Sequence, residues 1–240
     1  MKKRCLLIPG NPAVADYYLS WIQEIENRRP DMDIKYANSY VLFDRKLNYE
    51  KYDSAMRNHY KDIFLDLKST EKVTLIAHSV GSYFAFRLLE MYPERIDKVI
   101  VLFPYIGYSS GPALKFTFVP YMIDRFFPLV EMVSRFKNLF HHWDPEIQNI
   151  SDLELTACLR FGVRQCTYFN KYKLDTGPIS HYKDKIHFLF ATNDRWCPTE
   201  TIELLKPISN FQKIDLPHDF IVNSEYRDKM TTLLDTIISK

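Results

Sequence analysis

The chain has 240 residues, 46% of them hydrophobic and 26% charged, which suits one well-packed globular domain or one domain carrying an insertion. A formal net charge of +2, with no long block of like charge, lacks the basic footprint of a nucleic-acid binder. Cys5, Cys158, Cys166 and Cys197 show neither C-x-x-C spacing nor the density of a disulfide framework, so they read as reduced thiols of a cytoplasmic protein.

The basic start M-K-K-R precedes an apolar stretch of only Cys5 to Ile8, short of the roughly 7–15 residues of a secretory h-region. No run approaches the ~18 apolar residues of a spanning helix, which predicts a soluble or peripheral protein. Arg4–Ile8, stopped by Pro9-Gly10, reads as a buried strand. Asp16–Asn27 places Tyr17, Tyr18, Trp21, Ile22 and Ile25 at helical spacing. Asp33–Asn38 is strand-like, and Tyr52–Leu67 is an amphipathic helix with Met56, Tyr60, Ile63, Phe64 and Leu67 on one side. Val73–Ala77 is the next strand, Ser79–Met91 a helix ended by Tyr92-Pro93, and Lys98–Phe103 another apolar strand. After a long interval come a strand at Lys185–Ala191, a helix at Thr199–Leu205, a strand at Gln212–Leu216 and a helix at Tyr226–Ile238.

Strands that read as near-continuous apolar runs and alternate with helices indicate an α/β fold, a mostly parallel twisted sheet with helices on both faces. The interval from about Tyr105 to Tyr182 breaks the alternation and reads as an inserted helical cap. The expected division is therefore a core in two parts, residues 1–104 and 183–240, with an aromatic-rich cap at 105–182.

The sequence V-T-L-I-A-H-S-V-G-S at Val73–Ser82 sets Ser79 on a strand-to-helix junction. A serine hydroxyl is almost never ionised near neutral pH, so a nucleophilic serine needs a turn that lifts it above the sheet beside backbone N–H groups. Little bulk is tolerated two residues either side, which Ala77 and Gly81 satisfy, although the common pattern has glycine where Ala77 stands. Taken alone, the motif also fits an ordinary strand–loop–helix junction with an incidental serine. A base and an orienting acid should follow in the order Ser, acid, His at the ends of later strands. His218, in L-P-H-D-F, lies just beyond the last strand, and Asp194, in F-A-T-N-D-R-W-C-P, follows the strand before it. Each alone fits a loop histidine or a turn aspartate; their joint order makes the catalytic reading the stronger one. Asp215 and Asp219 flank the histidine itself and suit the role less well.

An oxyanion hole needs two N–H groups, one expected from Val80 and the other from the P-G-N-P-A loop after the first strand. Gly10 permits close approach, Asn11 keeps an N–H that Pro12 lacks, and Asn11 is the expected donor, with Gly10 and Gly81 as supporting positions. His78 adjoins the nucleophile but points elsewhere from such an elbow, which favours a structural role. Adjacent histidines on one segment rarely converge on a metal, so His141-His142 with Asp144 and Glu146 are not read as ligands. Neither a phosphate loop nor a dinucleotide fingerprint is present, and no cofactor is expected.

These motifs resemble the lipid droplet-associated hydrolases within the α/β-hydrolases. The resembling stretches are Leu7–Pro12, Ala77–Gly81, Leu102–Pro104, Asn193–Pro198 and His218–Ile221, spread over most of the chain. Ser79, Asp194 and His218 match the family's catalytic triad position by position, while Ala13 and Ala77 stand where the pattern commonly has glycine. The resemblance implies hydrolysis of a lipid ester, with sterol esters the usual proposal, and association with a lipid droplet, a membrane or the endoplasmic reticulum surface.

An apolar acyl-ester substrate is independently motivated by Tyr108, Phe116, Phe118, Tyr121, Phe126, Phe127, Phe136 and Phe140, interrupted by Pro112, Pro120 and Pro128. Such rings can line an acyl pocket, dock on a lipid surface, or simply pack the cap onto the sheet. The leading expectation is a serine ester hydrolase working through an acyl-enzyme. The alternatives are an acyl-thioesterase or a non-catalytic lipid-surface protein on a hydrolase scaffold. Oligomeric state is not readable from the sequence.

Overall fold

The computed structural model describes residues 2–11, 13, 15–38, 49–67, 72–106, 175–192, 194, 196–197, 199–208 and 210–239. All of the expected cap except its two ends, and with it His141 and His142, lies outside the described residues. The strands are β1 (Lys3–Ile8), β2 (Met32–Tyr36), β3 (Val73–His78), β4 (Ile96–Leu102), β5 (Ile186–Ala191) and β6 (Asn210–Ile214). The helices are α1 (Ala15–Arg28), α2 (Tyr49–Asp66), α3 (Gly81–Met91), α4 (Gly177–Ser180), α5 (Thr199–Leu205) and α6 (Ser224–Ile238).

The strands form one parallel sheet in the order β2-β1-β3-β4-β5-β6. Alternation along each strand sends successive side chains to opposite faces. On one face Leu6, Ile8, Leu75, Ala77, Val99, Val101, Phe188 and Phe190 pack with Met56, Tyr60 and Phe64 of α2, with α3, and with Ile202 and Leu205 of α5. On the other, Cys5, Leu7, Ile76, Ile100, Leu102, Leu189 and Ile214 meet Tyr18, Trp21, Ile22 and Ile25 of α1 and Met230, Leu234 and Ile237 of α6. Both faces being covered explains why β3 is buried along its whole length and reads as an unbroken apolar run.

The strand order reverses between β1 and β3: the chain leaves β1 toward β2, then returns to β3 and continues outward to β6. Loops following β1 and β3 therefore diverge to opposite faces and leave a crevice at the carboxyl ends of those strands, where ligands bind in open α/β sheets. Every segment that sequence reading assigned to the site opens there: Gly10–Asn11 after β1, Ser79 after β3, Asp194 after β5 and His218 after β6.

Most boundaries differ from expectation by one to three residues, and three of the differences bear on the site or the sheet edges. Helix α3 begins at Gly81 rather than Ser79, because Ser79 and Val80 form the turn itself. β2 stops at Tyr36 instead of Asn38. β6 spans Asn210–Ile214 instead of Gln212–Leu216; it is an edge strand, and only Ile214 within it is buried. A strand with one buried side chain has little hydrophobic pattern to mark its start.

Candidate active site

Ser79 sits at φ 51°, in the left-handed region that a residue with a side chain occupies at a cost of order 1–3 kcal/mol. The surrounding backbone holds it there. The Ser79 N–H donates to the Leu102 carbonyl at 2.8 Å, and its own carbonyl accepts from the N–H groups of Ser82 and Tyr105, both at 3.1 Å. The Ser82 hydroxyl donates to that same carbonyl.

Gly81 lets α3 start directly against β1: a Cβ there would lie 2.5 Å from the Ile8 carbonyl oxygen and 2.7 Å from that of Pro9. Gly10 does the same for the facing loop, since a Cβ on it would come within 2.9 Å of the Ser79 Cβ. Backbone N–H groups can thus approach the serine closely. Asn11 follows Gly10 in that loop, and the backbone hydrogen bonds around the elbow leave the Val80 N–H uncommitted among the described residues.

The His218 ring bridges the remaining two groups, with Nε2 2.9 Å from Ser79 Oγ and Nδ1 2.8 Å from Asp194 Oδ2. Asp194 is held through its other oxygen. Oδ1 accepts from the N–H groups of Trp196 at 2.8 Å and Cys197 at 3.3 Å, so the aspartate is both a turn residue and the partner of the histidine. Its side chain is 1% exposed. Burial alone pushes this carboxyl up, but the His218 contact and the two N–H donors together hold it below the ordinary carboxylate value. An ionised, fixed carboxylate requires Nδ1 of His218 to carry its hydrogen, leaving Nε2 free to accept from the serine. Such an arrangement can generate a serine nucleophile and accept its proton.

Two residues in contact with the site escaped sequence reading. Phe103, at φ 50°, packs its ring 5.9 Å from His218 and 6.2 Å from His78, and its N–H is tied to the Leu189 carbonyl. Tyr18 reaches from α1 to hydrogen-bond His78 Nδ1 at 2.6 Å. Phe103 falls within the L-F-P stretch, which marks its position but not its strain; nothing local to Tyr18 separates it from its neighbours on the helix. His78 itself is buried and structural in placement, as its position beside the elbow implied.

A parallel sheet with a strained serine on the β3–α3 turn and a histidine–aspartate pair on later loops defines the α/β-hydrolase class. Solved structures share this fold. An esterase from Thermogutta terrifontis superposes with a TM-score of 0.67 at 17% identity, covering 100% of this chain and 90% of that one. A hydrolase from Oleispira antarctica gives 0.68 at 15% identity, covering 100% and 92%. The RedJ thioesterase of Streptomyces coelicolor gives 0.61 at 16% identity, covering 98% and 89%.

Within that class the family is specific. The chain belongs to the lipid-droplet associated hydrolase family, whose profile matches residues 1–221. Similar proteins include the human lipid droplet-associated hydrolase, 26% identical over 98% of this chain and 85% of the relative, and the rat protein, 25% identical over 92% and 80%. The chain is accordingly a hydrolase of the α/β-hydrolase type.

Proposed function

We propose that the protein cleaves the carboxylic ester of an apolar lipid, a sterol ester being one candidate, through Ser79, His218 and Asp194. Ser79 Oγ attacks the ester carbonyl while its proton passes to His218 Nε2, forming a tetrahedral oxyanion. The N–H groups of Asn11 and Val80 receive that negative charge. His218 then gives the proton to the departing alcohol as the carbon–oxygen bond breaks, leaving an acyl group on Ser79. Water, activated by the same nitrogen, releases the acid. Asp194 keeps the imidazole in the required tautomer and balances the imidazolium charge. The observation that carries the reading is the continuous contact from Ser79 Oγ through the His218 ring to the buried Asp194 carboxylate, at 2.9 and 2.8 Å.

The apolar substrate is supported by the family and by the aromatic residues that the sequence places between Tyr105 and Trp143. We take 105–182 as the substrate-covering insertion. The described ends of that segment suit this role: the Tyr105 N–H bonds the Ser79 carbonyl, Tyr105 and Ile106 are buried, and α4 packs against α3. No helix among the described residues is long and apolar enough to cross a membrane. Attachment to a lipid droplet or a cytoplasmic membrane surface is the localisation this reading implies.

p-Nitrophenyl esters of increasing acyl length, assayed with the native protein and with Ser79→Ala, test the proposal. Rates that rise with acyl length and vanish in Ser79→Ala are expected. Preference for acetate over long chains would remove the lipid from the proposal, and equal rates for the two proteins would remove the serine.

A further inference from the structure

The proposed reaction requires His218 to contact Asp194 and Ser79 at once, yet His218 lies in a loop beyond the edge strand β6. Within that loop, Phe220 N–H bonds the Pro217 carbonyl at 3.2 Å, a local turn that does not tie it to the sheet. Buried Phe220 packs the loop against Trp21 and Phe103, and a hydrogen bond from the end of β3 comes from His78. Its Nε2 lies 2.9 Å from the His218 carbonyl oxygen, and its Nδ1 lies 2.6 Å from the Tyr18 hydroxyl. That hydroxyl in turn accepts from the Gly10 N–H at 2.9 Å.

The direction of each bond follows from the chemistry of the groups. A carbonyl only accepts, so the hydrogen of a neutral His78 ring sits on Nε2, leaving Nδ1 as an acceptor. Tyr18 must then donate its hydroxyl hydrogen to Nδ1, and the Gly10 N–H fills one of its lone pairs. Burial first, and the neighbouring His218 second, lower the proton affinity of His78 to a pKa of about 3, which keeps the ring neutral. The chain of donors therefore runs one way: Gly10 N–H to Tyr18 O–H to His78, and His78 N–H to the His218 carbonyl.

We propose that Tyr18 and His78 form a positioning relay that sets the His218 loop and the oxyanion loop against each other across the elbow. The inference rests on the proposed roles of Ser79 and His218. The relay's anchors are packed and hydrogen-bonded. Tyr18 is 1% exposed and stacks on Tyr36 with ring centroids 5.6 Å apart, while the Tyr36 hydroxyl donates to the Ala13 carbonyl at 3.0 Å. The two tyrosines thereby hold the Gly10–Ala13 loop at both ends. His78 lies among Phe103, Phe220 and His218, with ring centroids 5.2 to 6.2 Å away. Neither Tyr18 nor His78 touches the reacting atoms in this scheme. They act through the placement of His218 and Gly10, where a displacement of about 1 Å can cost a hundredfold in rate.

Three substitutions separate this role from packing. Tyr18→Phe removes one oxygen and with it the donor that fixes the His78 tautomer. The amide nitrogen of His78→Gln reaches the place of Nε2 and can still donate to the His218 carbonyl. His78→Asn reaches only the place of Nδ1 and cannot.

The measurements are the rate constant for labelling by a fluorophosphonate, and kcat and KM on a p-nitrophenyl ester, at a temperature where circular dichroism shows native signal. Tyr18→Phe and His78→Asn are expected to lower kcat and the labelling rate about tenfold, with KM unchanged, while His78→Gln stays within about threefold of the native protein. Full rates in Tyr18→Phe, or equal losses in the Asn and Gln variants, overturn the relay. If the His78 variants fail to fold, Tyr18→Phe decides alone. Ser79→Ala serves as the control: a dead Ser79→Ala beside a fully active Tyr18→Phe rejects only the relay, whereas a Ser79→Ala that labels like the native protein rejects the triad beneath it.

Discussion

At Gly10 a hydrogen stands where any side chain would meet Ser79. An alanine Cβ would lie 2.9 Å from the Ser79 Cβ and 3.1 Å from His78 Nδ1, so the loop must back away from the elbow. Loss of one oxyanion donor typically lowers kcat by about 10²–10³. Gly10→Ala should lose activity in that range and also unfold at a lower temperature, so kinetics are compared where calorimetry shows the variant folded; a folded variant with native kcat would place the oxyanion elsewhere. His78 makes a second prediction, from protonation. Its value of about 3 in the native state lies below the ordinary 6.5, so the unfolded chain binds the extra proton first as pH falls. Its contribution to stability is therefore complete above pH 6.5 and is lost progressively toward pH 3. The charged or titratable groups acting on the ring are His218 and Asp194, with the Tyr18 hydroxyl on its other nitrogen. Between pH 7 and 5 the native protein should lose roughly 2 kcal/mol more than His78→Gln in urea titrations. Parallel losses in the two proteins would mean that His78 charges freely in the folded state.

At the scale of elements, the sheet is legible in the sequence wherever both faces are covered. β1, β3, β4 and β5 were visible as apolar runs because each of them is packed by helices on both sides. β6 was displaced by two residues because an edge strand with one buried side chain carries almost no pattern. Ser79, Asp194 and His218 stand out in the sequence for a different reason: three reactive residue types fall at the ends of β3, β5 and β6 in a fixed order, which chance seldom arranges. Tyr18 and Phe103 were not readable. The partner of Tyr18 lies 60 residues away, and the strained backbone of Phe103 leaves no mark on residue identity. A still longer separation, 210 residues, hides the join between α1 and α6, where buried Trp21 donates its indole N–H to Thr231 Oγ1 at 2.9 Å. Thr231→Val keeps the volume but strands that N–H, at a cost of about 1–3 kcal/mol. Denaturant unfolding should show this loss with kcat unchanged, since the contact lies outside the site. An unaltered midpoint would mean that the indole finds another acceptor.

For the whole molecule, the topology does most to make the site possible. The order β2-β1-β3-β4-β5-β6 sets the loops after β1 and β3 side by side at the reversal, so Gly10 and Ser79 become neighbours although about 70 residues separate them. The family and fold make the protein a hydrolase of α/β-hydrolase type, and the contacts among Ser79, His218 and Asp194 supply the proposed chemistry. Mapping the site of fluorophosphonate attachment by peptide mass spectrometry, with His218→Ala as a second sample, tests that chemistry most directly. The adduct should fall on Ser79 alone, and His218→Ala should label at least about a thousandfold more slowly. An adduct on another residue, or equal labelling without His218, would contradict the account.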